Sequence, residues 1–231
     1  MTVQQLLLDI RPEAPATLDN FVVGDNAELL ARLRALSASA SADQIYLWGL
    51  PGSGRSHLLR GVLKLAQARR RPVSFSEGAR LGTELVVAPG TLVIIDDVDD
   101  LDEIAQIALF NTFNAARQNG LALLLSGSTP PLRLNATLRE DLRTRIGSTL
   151  IYEVRPLSDA EKAAALRSHG ASRGMRIDEA LIDYLLHHGR RDLPSLLAVL
   201  DALDQVSLER QRPVTLPLLR EILQTSLELN T

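Results

Sequence analysis

The chain has 231 residues, 45% of them hydrophobic and 23% charged, which is the composition of a globular protein with room for one large domain and a small one. A net charge of −3 argues against a dominant basic surface for nucleic acid, so no sequence-specific DNA binding is expected. Without cysteine there is no disulfide, thiol catalysis or cysteine-based metal site, and no signal peptide or membrane-spanning apolar stretch is read, so a cytoplasmic location is expected.

Residues 1–16 read as an arm. Gln5, Leu6, Leu8 and Ile10 lie in an apolar run that Pro12 and Pro15 cut off from the rest of the chain. Such a run either packs on the body as an edge strand or docks as a peptide on another protein. From Ala27 to Leu36, leucines at 29, 30, 33 and 36 recur at helical spacing, with Asp25 or Asn26 as the N-cap. Residues 37–42 are a small-residue linker.

Ile45 to Trp48 form an apolar strand that runs into Gly49-Leu-Pro51-Gly52-Ser53-Gly54-Arg55-Ser56-His57, followed by a helix to Arg70. This is the strand, loop and helix of a phosphate-binding P-loop, with arginine where lysine is usual. Glycines let consecutive backbone N–H groups turn inward around phosphate oxygens, and the helix adds its positive N-terminal end. Ser56 offers a hydroxyl to Mg²⁺, and the cation at 55 reaches the outer phosphates. Arg69-Arg70-Arg71 closes the helix and reads as a solvated cationic end that offsets the dipole.

A short strand is predicted over 72–75 and a short helix within 77–89. Thr91 to Ile95 is a buried-strand run ending in Asp96-Asp97, about forty residues beyond the P-loop. A strand that delivers a carboxylate beside a P-loop holds Mg²⁺, and the next acid can orient the attacking water. Together the two stretches imply a nucleoside phosphate. A helix over 101–119 capped by Gly120, a strand over 121–125, a polar loop holding Ser126 and Ser128, a helix over 138–144 and a strand over 150–154 complete the alternation. The fold class is therefore α/β, a parallel doubly wound sheet whose ligands sit at the carboxyl ends of the strands, with Ser126 and Ser128 facing the γ-phosphate. From Ser158, a capping box with Glu161, the pattern is helical only: 159–172, 178–188, 193–207 and 215–228.

A P-loop domain followed by a small helical bundle resembles the AAA+ P-loop NTPases with their all-helical lid. Within that class, Thr17-Leu-Asp-Asn-Phe21-Val22-Val23-Gly24 is similar to the opening of the DnaA ATPase domain, and Leu142-Arg143-Thr-Arg145-Ile-Gly147 resembles that family's arginine-finger box. Gly-Arg-Ser-His in the P-loop, the end of the chain after the lid, and an arm similar to a clamp-binding peptide all resemble the regulatory Hda branch of the family. The resemblance implies three parts: a clamp-docking arm at 1–16, a nucleotide-binding domain at 17–156 and a lid at 157–231.

It also implies roles. Phe21, Val22, Val23, Pro51, Gly52, Ser53, Gly54, Arg55, Ser56, His57 and Ser128 would hold ADP or ATP, with Ser56 and Asp96 on Mg²⁺ and Asp97 as general base if the site hydrolyses. Arg145, or alternatively Arg143, would be a finger acting on a neighbour's nucleotide, and Gln5, Leu6, Leu8 and Ile10 would dock on the sliding clamp. The family's lid arginine aligns with Pro194, which reads as a first-turn proline behind the N-cap Asp192; Arg191, one turn earlier, is the substitute. The expected partners are the DnaA initiator and the DNA polymerase sliding clamp, with nucleoid association through the clamp and homo-oligomerisation left open. The expected function is inactivation of DnaA by stimulating its ATP hydrolysis in trans. The alternative is a helicase or initiator loader that turns over its own ATP.

Overall fold

The computed structural model describes residues 15–38, 41–82, 85, 87–189 and 192–221. The arm residues Gln5, Leu6, Leu8 and Ile10, and Arg191 of the lid, lie outside them. The chain separates into two compact units, Ala16–Pro156 and one built on the residues from Leu157 onward.

In the first unit, α1 (Ala27–Leu36) leads to β1 (Gln44–Trp48), α2 (Arg55–Ala68), β2 (Val73–Glu77), β3 (Leu92–Asp96), α3 (Glu103–Asn119), β4 (Ala122–Gly127), α4 (Glu140–Gly147) and β5 (Leu150–Glu153). Among the described residues the five strands form one sheet in the order β2-β3-β4-β1-β5, with every neighbouring pair parallel. The central strands read as unbroken apolar runs because both of their faces are covered. Ile45, Leu47, Ile94 and Leu124 point into a core with Leu29, Leu33, Leu58 and Val62 of α1 and α2. Tyr46, Val93, Ile95 and Leu123 point the other way, onto Leu109, Phe113, Leu142 and Ile146 of α3 and α4. Each such fully buried leucine or isoleucine contributes about 1.5–3 kcal/mol relative to exposure.

The order sets the site. β4 lies between the strand that feeds the P-loop and the strand that ends in Asp96, and the register pairs Trp48 with Gly127 and Ile95 with Leu125. The carboxyl ends of β1, β4 and β3 therefore emerge side by side.

Several sequence expectations shift. The helix expected within 77–89 is, in its described part, one 3₁₀ turn at Gly78–Arg80. α4 begins two residues later than expected and continues to Gly147, which puts Arg145 on the helix instead of after it. Asn26 occupies the N-cap position of α1 but does not cap it. Its amide donates to the carbonyls of Val23 and Arg155 and accepts from Arg155 N–H, tying the entry segment to the chain beyond β5.

Arg71 is not solvated. It is 2% exposed, and its guanidinium donates to the carbonyls of Leu36, Ala38 (2.6 Å) and Ser41 (2.7 Å), so it stitches the end of α1 to the turn beyond α2. Burial pulls its pKa down from the usual arginine value.

The second unit packs α5 (Asp159–Ser172), α6 (Glu179–His188) and α7 (Leu193–Arg210) with the helical residues 216–221 around Leu166, Leu181, Leu185, Leu200, Leu203 and Leu218. Ser158 and Glu161 form a reciprocal capping box on α5. Asp178 and Asp192 cap α6 and α7 through Ala180 N–H and Ser195 N–H. Pro194 sits in the first turn of α7, where a missing N–H costs no helical hydrogen bond.

Candidate functional site

The loop between β1 and α2 turns on Gly52 and Gly54, at φ +80° and +101°, in the left-handed region where a side chain would be strained. Gly54 has a second reason to lack a Cβ, because one would stand 2.9 Å from Phe21 Cε2. The entry segment thus lies on the P-loop. His57, in the first turn of α2, holds it there: its Nε2 meets the Thr17 carbonyl at 2.9 Å and Asn20 Oδ1 at 3.0 Å. Both partners are acceptor oxygens, so Nε2 carries the proton. The His57 and Phe21 rings are 5.7 Å apart. Val22 and Val23 are half-buried beside Phe21, and Val23 packs on the first core.

Two polar atoms of the loop are buried without a hydrogen bond, Ser53 Oγ and Arg55 Nη1. Buried donors left in this way cost about 1–3 kcal/mol unless something accepts from them, and phosphate oxygens in a P-loop are such acceptors. Arg55 Nη1 lies 3.2 Å from Asp97 Oδ1, close enough for an ion pair but outside hydrogen-bond geometry. Pro51 and Gly52 are exposed at the loop's tip, and Ser56 is half-buried in the first turn of α2.

Asp96 is 4% exposed and accepts a short hydrogen bond from Ser126 Oγ; that oxygen in turn accepts from Asp97 N–H at 2.9 Å. Ser126 is therefore wholly buried and used by the two acids, and does not face a γ-phosphate as its place in the sequence implies. Ser128 is half-buried just beyond the end of β4, with its N–H donating to Asp99 Oδ2. Tyr46 donates its hydroxyl to the Thr129 carbonyl at 2.7 Å, and burial, with help from Asp99, raises its pKa far above the usual phenol value.

Tyr46, Asp99 and Ser126 brace the carboxyl ends of β3 and β4, and sequence reading assigns none of them this role. Only a tyrosine inside an apolar strand hints at it. Asp97 has φ +53°. Its pKa is raised, first by burial and then by Asp96, while Arg55 opposes the shift. A Cβ on Gly78 would collide with the Asp97 carbonyl oxygen, so the turn carrying Asp97 rests directly on that glycine.

Arg145 is exposed in the last turn of α4. Its Nη2 donates to Asn114 Oδ1 at 2.8 Å, and its guanidinium carbon lies 5.7 Å from the Phe110 ring centre. Its contacts are thus with α3. Arg143 is half-buried on the same helix.

The model of the family described as "Hda, lid domain" matches residues 159–223. The match covers 65 of the 231 residues, so the likeness to that lid is a likeness of this stretch. The matched stretch begins at Asp159, the first residue of α5, and takes in all of α6 and α7, so it lies within the second compact unit.

Solved structures resemble the chain more broadly. Domain III of the replication initiation protein DnaA from Thermotoga maritima is 19% identical, with a TM-score of 0.70 over 91% of this chain and 98% of that one. DnaA from Aquifex aeolicus, in its AMPPCP-bound structure, is 19% identical, with a TM-score of 0.67 over 84% and 67%. A point variant of RuvB from Thermotoga maritima is 15% identical, with a TM-score of 0.68 over 93% and 73%. At these identities the likeness shows the fold alone: a parallel α/β sheet with a glycine-rich strand–loop–helix, and a helical unit. Among the described residues no helix is long and apolar enough to cross a membrane.

Proposed function

We propose that this chain is a nucleotide-bound regulator of replication initiation: it docks on the DNA sliding clamp through Gln5, Leu6, Leu8 and Ile10, and supplies Arg145 to the ATP of the DnaA initiator. The observation that carries this reading is the Hda lid at residues 159–223, joined to an AAA+ domain of the DnaA shape.

The P-loop fits the ligand chemically. Ser53 Oγ and Arg55 Nη1 are buried donors in want of acceptors, and Phe21 packs on Gly54 where the base side of a nucleotide would lie. Gly52 and Gly54 open the loop's N–H groups to ADP or ATP, and Ser56 with Asp96 would hold Mg²⁺. The metal would supply charge neutralisation on the phosphates. Ser128 would face the outermost phosphate and Asp97 would be the general base. Arg145 stands exposed on α4, with its guanidinium resting on Asn114 and Phe110 of α3, contacts it would exchange for a neighbour's phosphate. A guanidinium placed on transferring phosphoryl groups raises hydrolysis by roughly 10³–10⁵.

The test is ATP hydrolysis by DnaA on clamp-loaded DNA, with and without this protein. Stimulation is expected, and its absence overturns the reading. Arg145→Ala should abolish stimulation and leave nucleotide and clamp binding intact, because the lost charge acts in the transition state. Arg145→Lys should restore little, since an ammonium lacks the fork. If Arg143→Ala fails and Arg145→Ala does not, the finger is Arg143.

A loader with its own turnover is the second reading, favoured by the intact Asp96-Asp97 pair. Turnover by the isolated protein of about tens per second, in the usual range of phosphoryl-transfer enzymes, would support it.

A further inference from the structure

We infer that Asp97 is an intramolecular competitor of phosphate for Arg55, so that a nucleoside di- or triphosphate binds this P-loop only by taking the guanidinium away from a resident carboxylate. The inference rests on the nucleotide-binding reading of the loop and concerns how its affinity is set.

Arg55 Nη1 is 3.2 Å from Asp97 Oδ1, and the two side chains are 12% and 42% exposed, so the pair is screened less than a surface salt bridge. The Asp97 backbone is also held in place. Its N–H donates to Ser126 Oγ, its carbonyl rests on Gly78, and its backbone sits at φ +53°, a conformation that few residues with a side chain adopt.

Asp97 therefore competes as an anion carried on a fixed backbone within the ion-pair reach of Arg55. The same Nη1 makes no hydrogen bond, so its hold on Asp97 is electrostatic and can be exchanged for a phosphate oxygen in the loop. Arg55 is the cation that the P-loop brings to the phosphates. Once it turns to them, Asp97 faces Asp96, Asp99 and Asp100 without it. Binding must offset that repulsion together with the loss of the ion pair, and affinity falls accordingly. Arginine suits such competition because its planar fork reaches sideways to a carboxylate as readily as forward to phosphate.

The test is calorimetric titration of the full chain with ADP and, separately, with inorganic pyrophosphate, both in EDTA so that no divalent metal links the acids to the ligand. Asp97→Asn, chosen because asparagine tolerates positive φ, should tighten binding of both by roughly three- to tenfold. Asp97→Gly, which accepts this backbone without strain, should do the same and guards against an effect peculiar to asparagine.

On an Arg55→Met background, Asp97→Asn should change Kd by less than about twofold, because no guanidinium remains to be released. An equal gain on that background would mean simple repulsion between Asp97 and the ligand, and would overturn the competition. Unchanged or weakened binding in both Asp97 variants would overturn it too, with the nucleotide reading left standing. If the unaltered chain binds neither probe, the nucleotide reading fails and this inference fails with it.

Discussion

At the scale of single residues, the site is legible where chemistry dictates residue type. Glycines at 52 and 54, a cation at 55, a hydroxyl at 56 and an acid after a buried strand are what phosphate and metal ask for. Residues that serve those groups from behind are not legible, because a buried hydroxyl or guanidinium has no characteristic spacing. Ser126 and Arg71 show this: by sequence the first faces ligand and the second faces water, and both are buried braces. Replacing Arg71 by methionine strands the carbonyls of Leu36, Ala38 and Ser41, and should cost on the order of 3 kcal/mol. Denaturant titration should show the midpoint fall with the slope unchanged. Arg71→Lys should recover little of this, since one ammonium cannot span the same acceptors. At Gly54 an alanine meets both strain at φ +101° and the Phe21 ring, so Gly54→Ala should weaken ADP binding and cost about 1–3 kcal/mol. If Gly54→Ala binds ADP as well as the unaltered chain does, Phe21 is not part of the site.

At the scale of elements, alternation of strand and helix is readable, because apolar runs of four to six residues between helical repeats have few other solutions. Ends are readable where a cap announces them. Gly120 closes α3 in the left-handed conformation, Asp192 opens α7, and Ser158 with Glu161 opens α5. Ends without such a signal move. α4 runs past Thr144 because Leu142 and Ile146, one turn apart, both bury against the second core, and packing carries the helix on through Arg145. Asn26 fails as a cap because a local partner, Val23, and a tertiary one, Arg155, claim its amide first. Asp102 carries no sequence signal of its own among neighbouring acids, yet it caps α3 by accepting from Ala105 N–H at 2.7 Å. Asp102→Ala should therefore cost about 1 kcal/mol, read from the unfolding midpoint. Its effect on nucleotide binding should be negligible, since the side-chain hydrogen bond goes to the helix it starts.

At the scale of the whole molecule, the two compact units differ in how their carboxylates are held, and that difference has a direction with pH. In the helical second unit, the lid of the proposed reading, Glu161 is held below the usual glutamate range first by the Ser158 hydroxyl, Glu179 by the Arg167 guanidinium and Glu221 by Arg212. A carboxyl whose folded pKa is depressed contributes stability above its unfolded pKa, and loses it as pH falls through the folded value. In the P-loop unit Asp141 acts in the same sense, through Leu142 N–H, whereas Asp97 acts in the opposite one. With its folded pKa raised, Asp97 opposes folding above that value, and the opposition lifts as the group takes up a proton. Acidification therefore withdraws support from three sites in the lid, while in the P-loop unit a loss at Asp141 is set against a gain at Asp97. Amide hydrogen exchange followed from neutral pH down through the glutamate range should show protection over 158–188 falling more steeply than over β1, β3 and β4. Replacing Glu179 by glutamine removes one of the three contributions. It should flatten the lid's pH dependence and leave that of the sheet unchanged. Parallel loss of protection in lid and sheet, with or without Glu179, would show that these exposed pairs carry no measurable share of the lid's stability.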